Sequence, residues 1–225
     1  MIIFMLERLC RARRIGQIIL ATSDDISDDP LAETVRGYGI TCIRGNLHDV
    51  LDRFRCAARQ LDADVVVRLT GDCPLVDPST VDRVVSALIG NGSDYASNIA
   101  PPTFPDGLDV EAFNRSALEA AWAEATLPSD REHVTPYIRS RPGRFAMTNV
   151  EAEKDFSALR WTVDYPEDLL VIQKLVDGIG DGARDASFAD FIQAWEKQPE
   201  LARLNQHDRN IGYAKSLEQD RSSLA

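Results

Sequence analysis

The sequence predicts an α/β fold, a sheet flanked by helices, and three observations carry that reading. Through the first half of the chain, short apolar runs alternate with longer amphipathic stretches, the pattern of parallel strands joined by crossover helices. The runs are apolar throughout, as in Val65-Val66-Val67, which marks strands covered on both faces. Proline and Asp/Asn/Ser punctuate the junctions where helices should start. At 225 residues the chain has room for one sizeable α/β domain, burying roughly 70% of its unfolded surface.

Taken in order, residues 2–14 place Ile2, Ile3, Leu6 and Leu9 near one face at helical spacing, with Glu7, Arg8, Arg11 and Arg13 mostly elsewhere. Residues 17–22 read as a strand that ends at Ser23-Asp24-Asp25, and Pro30 suits the first turn of the next helix. A strand at 40–43 turns through Arg44-Gly45-Asn46 into a helix over 49–60. The strand at Asp64 and a helix over 79–89 complete this half. In the second half, strands are expected at 94–98, 108–113, 144–150 and 159–163, with helices over 115–124, from Ser129, from Tyr165 through Val176, and over 187–197. Ser129 with Glu132 has the spacing of a capping box, and Pro136 should shorten or kink the helix it opens. Gly178-Ile-Gly-Asp-Gly182 follows a helix instead of a strand and is rejected as a dinucleotide fingerprint. The organisation expected is an α/β domain over 1–200 and a polar tail over 201–225.

Lys and Arg number 25 against 36 Asp and Glu, a formal charge of −11, which argues against nucleic acid as a partner. An anionic nucleotide is still compatible, because local arginines and a metal reverse the sign inside a cleft. The four cysteines are scattered without a Cys-x-x-Cys pair, so reduced thiols in a cytoplasmic protein are expected. No apolar run is long enough to span a membrane. Zinc spacing, a Walker loop and a Gly-x-Ser-x-Gly elbow are all missing, and no histidine is visibly placed to activate Cys73.

Chemistry concentrates in Arg68-Leu69-Thr70-Gly71-Asp72-Cys73-Pro74-Leu75-Val76-Asp77-Pro78. Gly71 and Pro74 end a buried strand, which leaves Asp72 just past its carboxyl end, where open α/β sheets bind ligands. Asp72 suits a magnesium ligand there and equally suits capping a turn.

That segment resembles the signature of the cytidylyltransferase-like family that includes spore coat polysaccharide biosynthesis protein F. It is more distantly similar to the synthetases of CMP-linked sialic acid and CMP-linked Kdo. Residues 103–111 (Thr-Phe-Pro-Asp-Gly-Leu-Asp-Val-Glu), 129–137 (Ser-Asp-Arg-Glu-His-Val-Thr-Pro-Tyr) and 159–168 (Leu-Arg-Trp-Thr-Val-Asp-Tyr-Pro-Glu-Asp) fit the same family in order and spacing. Asn205, Asn210, Gly212, Tyr213 and 215–217 resemble its ending. The resemblance implies a Rossmann-like fold of the nucleotide-diphosphosugar transferase (GT-A) type with a small projecting arm, here expected at about 98–150, and a homodimer. It also implies an opening strand and a Gly/Arg-rich triphosphate loop. Met1–Leu6 reads as the helix after that loop, so a late start codon or a truncated copy is expected.

The activity implied is activation of a sugar or sugar acid with CTP, giving a CMP-sugar and pyrophosphate, with Mg2+ shared by Asp72 and Asp164. Capping the following helix is the other role for Asp164. Thr22, Ser23, Asp24, Arg44, Asp49, Arg53, Arg68, Thr70 and Gly71 fall where base and ribose contacts are expected. For the sugar, Asp109 and Glu111 share one strand face and suit hydroxyl groups, with Asp106 and Asn98 nearby; the alternative is a solvated hairpin. Arg131 and His133 suit an acidic or phosphorylated sugar, or else a plain surface helix. A glycosyltransferase and a non-catalytic binding protein are the competing functions.

Overall fold

Asp49, Asp77, Asn114 and Ser187 each accept a hydrogen bond from the amide three residues on, so four helices start where the sequence supplies a cap. These starts are seen in a computed structural model that describes residues 1–207, 209 and 211–223. Its elements are α1 (Ile2–Leu9), β1 (Ile19–Ser23), α2 (Asp29–Gly37), β2 (Thr41–Gly45), α3 (Val50–Gln60), β3 (Val65–Arg68), α4 (Pro78–Gly90) and β4 (Tyr95–Ser97). They continue as β5 (Glu111–Asn114), α5 (Arg115–Glu124), α6 (Pro128–His133), α7 (Pro136–Arg139), β6 (Met147–Asn149), α8 (Pro166–Ile179), α9 (Phe188–Glu196) and α10 (Ile211–Ser223). Among the described residues no helix is long and apolar enough to cross a membrane.

The sheet comes in two parts. β1 and β2 pair in parallel, and β3-β5-β4-β6 form a second sheet. β5 runs antiparallel to both β3 and β4, while β6 is parallel to β4. Residues 98–150, expected as a projecting arm, thus put β5 inside the second sheet and β6 at its edge. The reason is burial: Ala112 and Phe113 are fully enclosed, one on each face of β5. α5, α6 and α7 then pack on α3 through Leu118, Ile138 and Leu51.

Other expectations change in detail. Ser129 caps nothing; Leu127 holds that place, and the Ser129 amide donates to Asp220 of α10 at 3.0 Å. Val134, at φ 71°, ends α6, so Pro136 opens a new helix and kinks none. Residues 159–163 make one bridge, Asp106 to Arg160, in place of a strand. The polar tail is helical: α10 packs on α6, and Leu201 is fully buried. Asn210 lies outside the described residues.

A third apolar cluster, around Trp161, Leu175 and Phe191, joins α8 and α9 to the rest. Arg8 is fully buried and donates to the carbonyls of Val76 at 3.0 Å and Ala183 at 2.8 Å, clamping α1 to the loop before α4 and to the turn after α8. Burial lowers its pKa to about 10.

Candidate active site

A cavity of about 400 Å³ opens where β3 ends. Arg68, Thr70 and Asp72 line it from β3 and the loop beyond, and Arg160, Thr162 and Asp164 line the opposite wall. The two walls are stitched together: the Asp72 carbonyl accepts from the Val163 amide at 2.8 Å and from the Thr162 hydroxyl at 3.4 Å. Asp72 and Asp164 therefore sit on adjoining segments at one end of the sheet. Asp164 does not cap α8; Asp168 takes the amides of Asp164 and Tyr165 at 2.9 and 3.0 Å, leaving the Asp164 carboxylate half-exposed and paired with Arg160. The Cys73 thiol donates to Asp72 at 3.4 Å, and burial, reinforced by that carboxylate, pushes it well above the ordinary thiol value. It stays protonated, which removes it as a nucleophile.

The floor is Glu111. It takes Arg68 at 2.7 Å, the Tyr95 hydroxyl at 2.6 Å and the Thr135 hydroxyl, with Arg139 at 3.8 Å. Burial opposes its charge, yet Arg68, Arg139 and the two hydroxyls outweigh burial and hold its pKa below the usual value. Nε of both Arg68 and Arg139 is buried without a hydrogen-bond partner among the described residues. His133 faces the Ser216 hydroxyl at 2.9 Å and the Tyr213 ring edge-on, and burial lowers its pKa, so the imidazole is neutral at pH 7.

Asp109 pairs with Arg209, but burial dominates and raises its pKa to about 6. The folded value lies above the unfolded one of about 4. Its contribution to stability is therefore largest below pH 4 and falls as pH rises towards 6. Arg209→Gln removes the cation that moderates this shift. We expect the Asp109 carboxyl, followed by carbon-13 NMR, to titrate higher still; an unchanged midpoint would show that Arg209 is not its electrostatic partner.

A profile of the cytidylyltransferase family matches residues 1–212. The chain belongs to that family. It is 32% identical to the spore coat polysaccharide biosynthesis protein SpsF of Bacillus subtilis, over 85% of this chain and 79% of that one. It is 31% identical to the 3-deoxy-manno-octulosonate cytidylyltransferase of Anaeromyxobacter dehalogenans (strain 2CP-C), over 71% of this chain and 66% of the relative. A solved cytidylyltransferase from Leptospira borgpetersenii superposes with a TM-score of 0.86 at 31% identity, covering 92% of this chain and 87% of that one. The chain is thus a nucleotidyltransferase with the nucleotide-diphospho-sugar transferase type of fold.

Of the positions singled out in the sequence of this cytidylyltransferase, Arg68, Thr70, Asp72, Asp106, Asp109, Glu111, His133 and Asp164 meet in the cavity. Asn98 does not: it is fully buried, and its amide spends both ends on the backbone of Leu108 and Val110. Arg131 turns away to Asp49, whose other oxygen caps α3, so this pair fastens helices. Gly71 lines a different cavity, with residues of α1, β1, α3 and β3. Thr22 and Ser23 give their hydroxyls to Asp28 at 2.7 and 2.6 Å, and Arg44 binds Asp29 and the carbonyls of Ser23 and Asp25. Arg53 reaches the Ala21 and Leu47 carbonyls, and Asp24 is exposed. None of these five lines the cavity.

The cavity also holds Arg139, Arg160 and Arg209, which sequence reasoning did not single out, and Tyr213, noted there only as part of the ending. Arg160 carried a signal, since an arginine four residues before Asp164 at an apolar segment needs a buried anion. Arg139 and Arg209 carried none.

Proposed function

We propose that this cytidylyltransferase joins CMP from CTP to a sugar or sugar acid, releasing pyrophosphate, in the synthesis of a surface polysaccharide or glycan. The observation that supports it most is the meeting of Asp72 and Asp164 at one end of the sheet, inside a cavity that also carries arginines and sugar-facing carboxylates. In the reaction a sugar hydroxyl oxygen forms the new bond to the α-phosphorus and gives up its proton to solvent, while the bond to the bridging oxygen breaks and pyrophosphate carries that electron pair away.

Two carboxylates fit magnesium, which accepts one or two protein oxygens and fills its remaining positions with water and phosphate. Among the described residues no group of three or more His, Cys, Asp or Glu side chains is placed to hold a metal ion. When bound, the cation would neutralise charge on the triphosphate. The chain's own residues do the positioning. Asp106 and Asp109 accept from sugar hydroxyls, and neutral His133 adds a hydrogen-bonding edge. Arg68 and Arg139, whose Nε atoms lack a hydrogen-bond partner among the described residues, suit an acidic group on the acceptor. The octulosonate relative supports an acid as acceptor, and the spore coat relative supports the polysaccharide setting.

The test is pyrophosphate release from CTP and Mg2+ with a panel of neutral sugars, sugar phosphates and 2-keto sugar acids. Release matched mole for mole by a CMP-sugar in the mass spectrum is expected. Transfer from a preformed nucleotide-sugar without pyrophosphate would replace this reading with a glycosyltransferase.

A further inference from the structure

Asn98 lies outside the cavity and yet shapes it. Its Nδ2 donates to the Leu108 carbonyl at 2.7 Å, and its Oδ1 accepts from the Val110 amide at 2.8 Å. Those are the two peptide groups of Asp109. Asn98 is fully buried in this clamp, and its own backbone amide adds a bond to the Val110 carbonyl at 3.3 Å. Asp109 stands two residues before Glu111, the partner of Arg68 across the β3–β5 pair, and Thr70 stands two residues after Arg68. Continued past that pair, the antiparallel register brings Asp109 alongside Thr70 and towards Asp72. The Cys73 thiol marks the same spot. It touches the Thr70 hydroxyl at 3.3 Å and Asp72 at 3.4 Å, and Asp109 is among the charges that raise its pKa.

We propose that Asp109 is the proton acceptor of the reaction, taking the hydrogen of the sugar hydroxyl that attacks the α-phosphorus. The assignment rests on the nucleotidyl transfer proposed above. Other groups in the cavity are committed elsewhere. Asp72 and Asp164 are the carboxylates proposed for the cation. Asp106 has both oxygens taken, Oδ2 by Arg160 at 3.0 Å and Oδ1 by Arg209 at 3.5 Å. Glu111 is buried under Arg68, Tyr95 and Thr135. Ser216 gives its hydrogen to Glu132 at 2.7 Å, so His133 Nε2 donates to Ser216 and accepts nothing. Asp109 differs. Arg209 holds its Oδ1, Oδ2 makes no hydrogen bond among the described residues, and the side chain is 31% exposed to the cavity.

In the step, the hydroxyl oxygen bonds to the α-phosphorus while its hydrogen passes to Asp109 Oδ2. The bond to the bridging oxygen breaks, and its electron pair leaves on pyrophosphate. Asp109 then hands the proton to solvent, which completes the net course given above. The charged groups facing Asp109 are Arg209, Asp106 and Glu111. Burial outweighs Arg209, and the pKa of about 6 leaves the carboxyl mostly ionised at pH 7 while making it a stronger base than an ordinary aspartate.

The test measures kcat and KM for pyrophosphate release against pH, with CTP and Mg2+ saturating, in the wild-type protein and in Asp109→Asn. The amide keeps the shape, and the Asn98 clamp survives because it holds backbone. Wild-type kcat/KM for the acceptor should fall about tenfold per pH unit on the acid side, as Asp109 takes up a proton. Asp109→Asn should lose at least about 100-fold in kcat, keep its KM for CTP, and lose that acid limb. An acceptor whose reacting hydroxyl is made more acidic by a neighbouring fluorine should recover more of the rate in the variant than in the wild type. Wild-type kcat in Asp109→Asn overturns the assignment. So does a loss confined to acceptor KM with the acid limb intact, since Asp109 would then only hold the sugar. No pyrophosphate from the wild-type protein with any acceptor overturns the nucleotidyl transfer itself, and the assignment with it.

Discussion

Asp72→Asn is expected to lower kcat for pyrophosphate release at least about 100-fold, the scale of losing one ligand of a cation that carries transition-state charge. Folding should barely change. Asp72 is only partly buried, and the one hydrogen bond its carboxylate makes among the described residues is the weak thiol contact from Cys73 at 3.4 Å. The substitution keeps shape and removes charge. Asp164→Asn should behave similarly, because Arg160 keeps Asp106 and Asp168 when Asp164 is neutralised. If both carboxylates serve one ion, the double variant should be no worse than the poorer single, and each single should need more Mg2+ for half-maximal rate. Rates that fall multiplicatively, with no change in magnesium requirement, would assign the two residues separate tasks. Full activity in Asp72→Asn would remove it from the mechanism.

How far the sequence reached depends on whether the deciding contact is local. β1, β2 and β3 were legible as apolar runs and the helices from 49, 79, 115 and 187 as amphipathic stretches. The caps the sequence suggested, Ser129 and Asp164, cap nothing, because whether a polar side chain turns back onto its own helix depends on what else it can reach. The place of β5 was not legible. Alternation identifies a strand but says nothing of its partner, and β5 takes both of its partners, β3 and β4, from earlier in the chain. Residues 159–163 have the composition of a strand, yet they spend their backbone on the Asp72 and Asp106 carbonyls, one hydrogen bond to each. Gly107 lets the Asp106 segment lie so close: its φ is 102°, and a Cβ there would lie 2.5 Å from the Thr162 amide.

The same rule governs the site. Asp72 was found because it follows an apolar run at a strand end, where sheets gather such residues, whereas Asp164 as its partner and the acidic segment of Asp106 stood out only through the resemblance to the family. Asp49 and Arg131 resembled site residues because an ion pair between helices uses the same side chains as a binding site. Only their mutual contact, 82 positions apart in sequence, distinguishes the two uses. Arg209, paired with an aspartate 100 positions away, was hidden for the same reason.

Arg160→Ala is expected to destabilise the fold by about 3–5 kcal/mol, the cost of stranding buried carboxylates. The Arg160 side chain is 7% exposed and bonds Asp106 at 3.0 Å, Asp168 at 3.2 Å and Asp164. Burial works against its charge, but hydrogen bonds to Asp168 and Asp164 more than offset that and hold its pKa above the ordinary value. Asp168 gains in return. Burial alone would raise its pKa, yet Arg160 and the two amides hold it below the ordinary value. Its stabilising contribution is therefore present above the unfolded pKa of about 4 and is lost as pH falls through the lower folded value. Without Arg160 the sign of that contribution reverses, because fully buried Asp168 then resists ionisation. Urea unfolding should accordingly show a large deficit at pH 7 that narrows towards pH 4, where the carboxyls become neutral. Arg160→Lys should restore only part of it, since one ammonium cannot serve three carboxylates in the plane of a guanidinium fork. A deficit that is the same at both pH values would mean that lost packing, rather than stranded charge, is what the substitution costs.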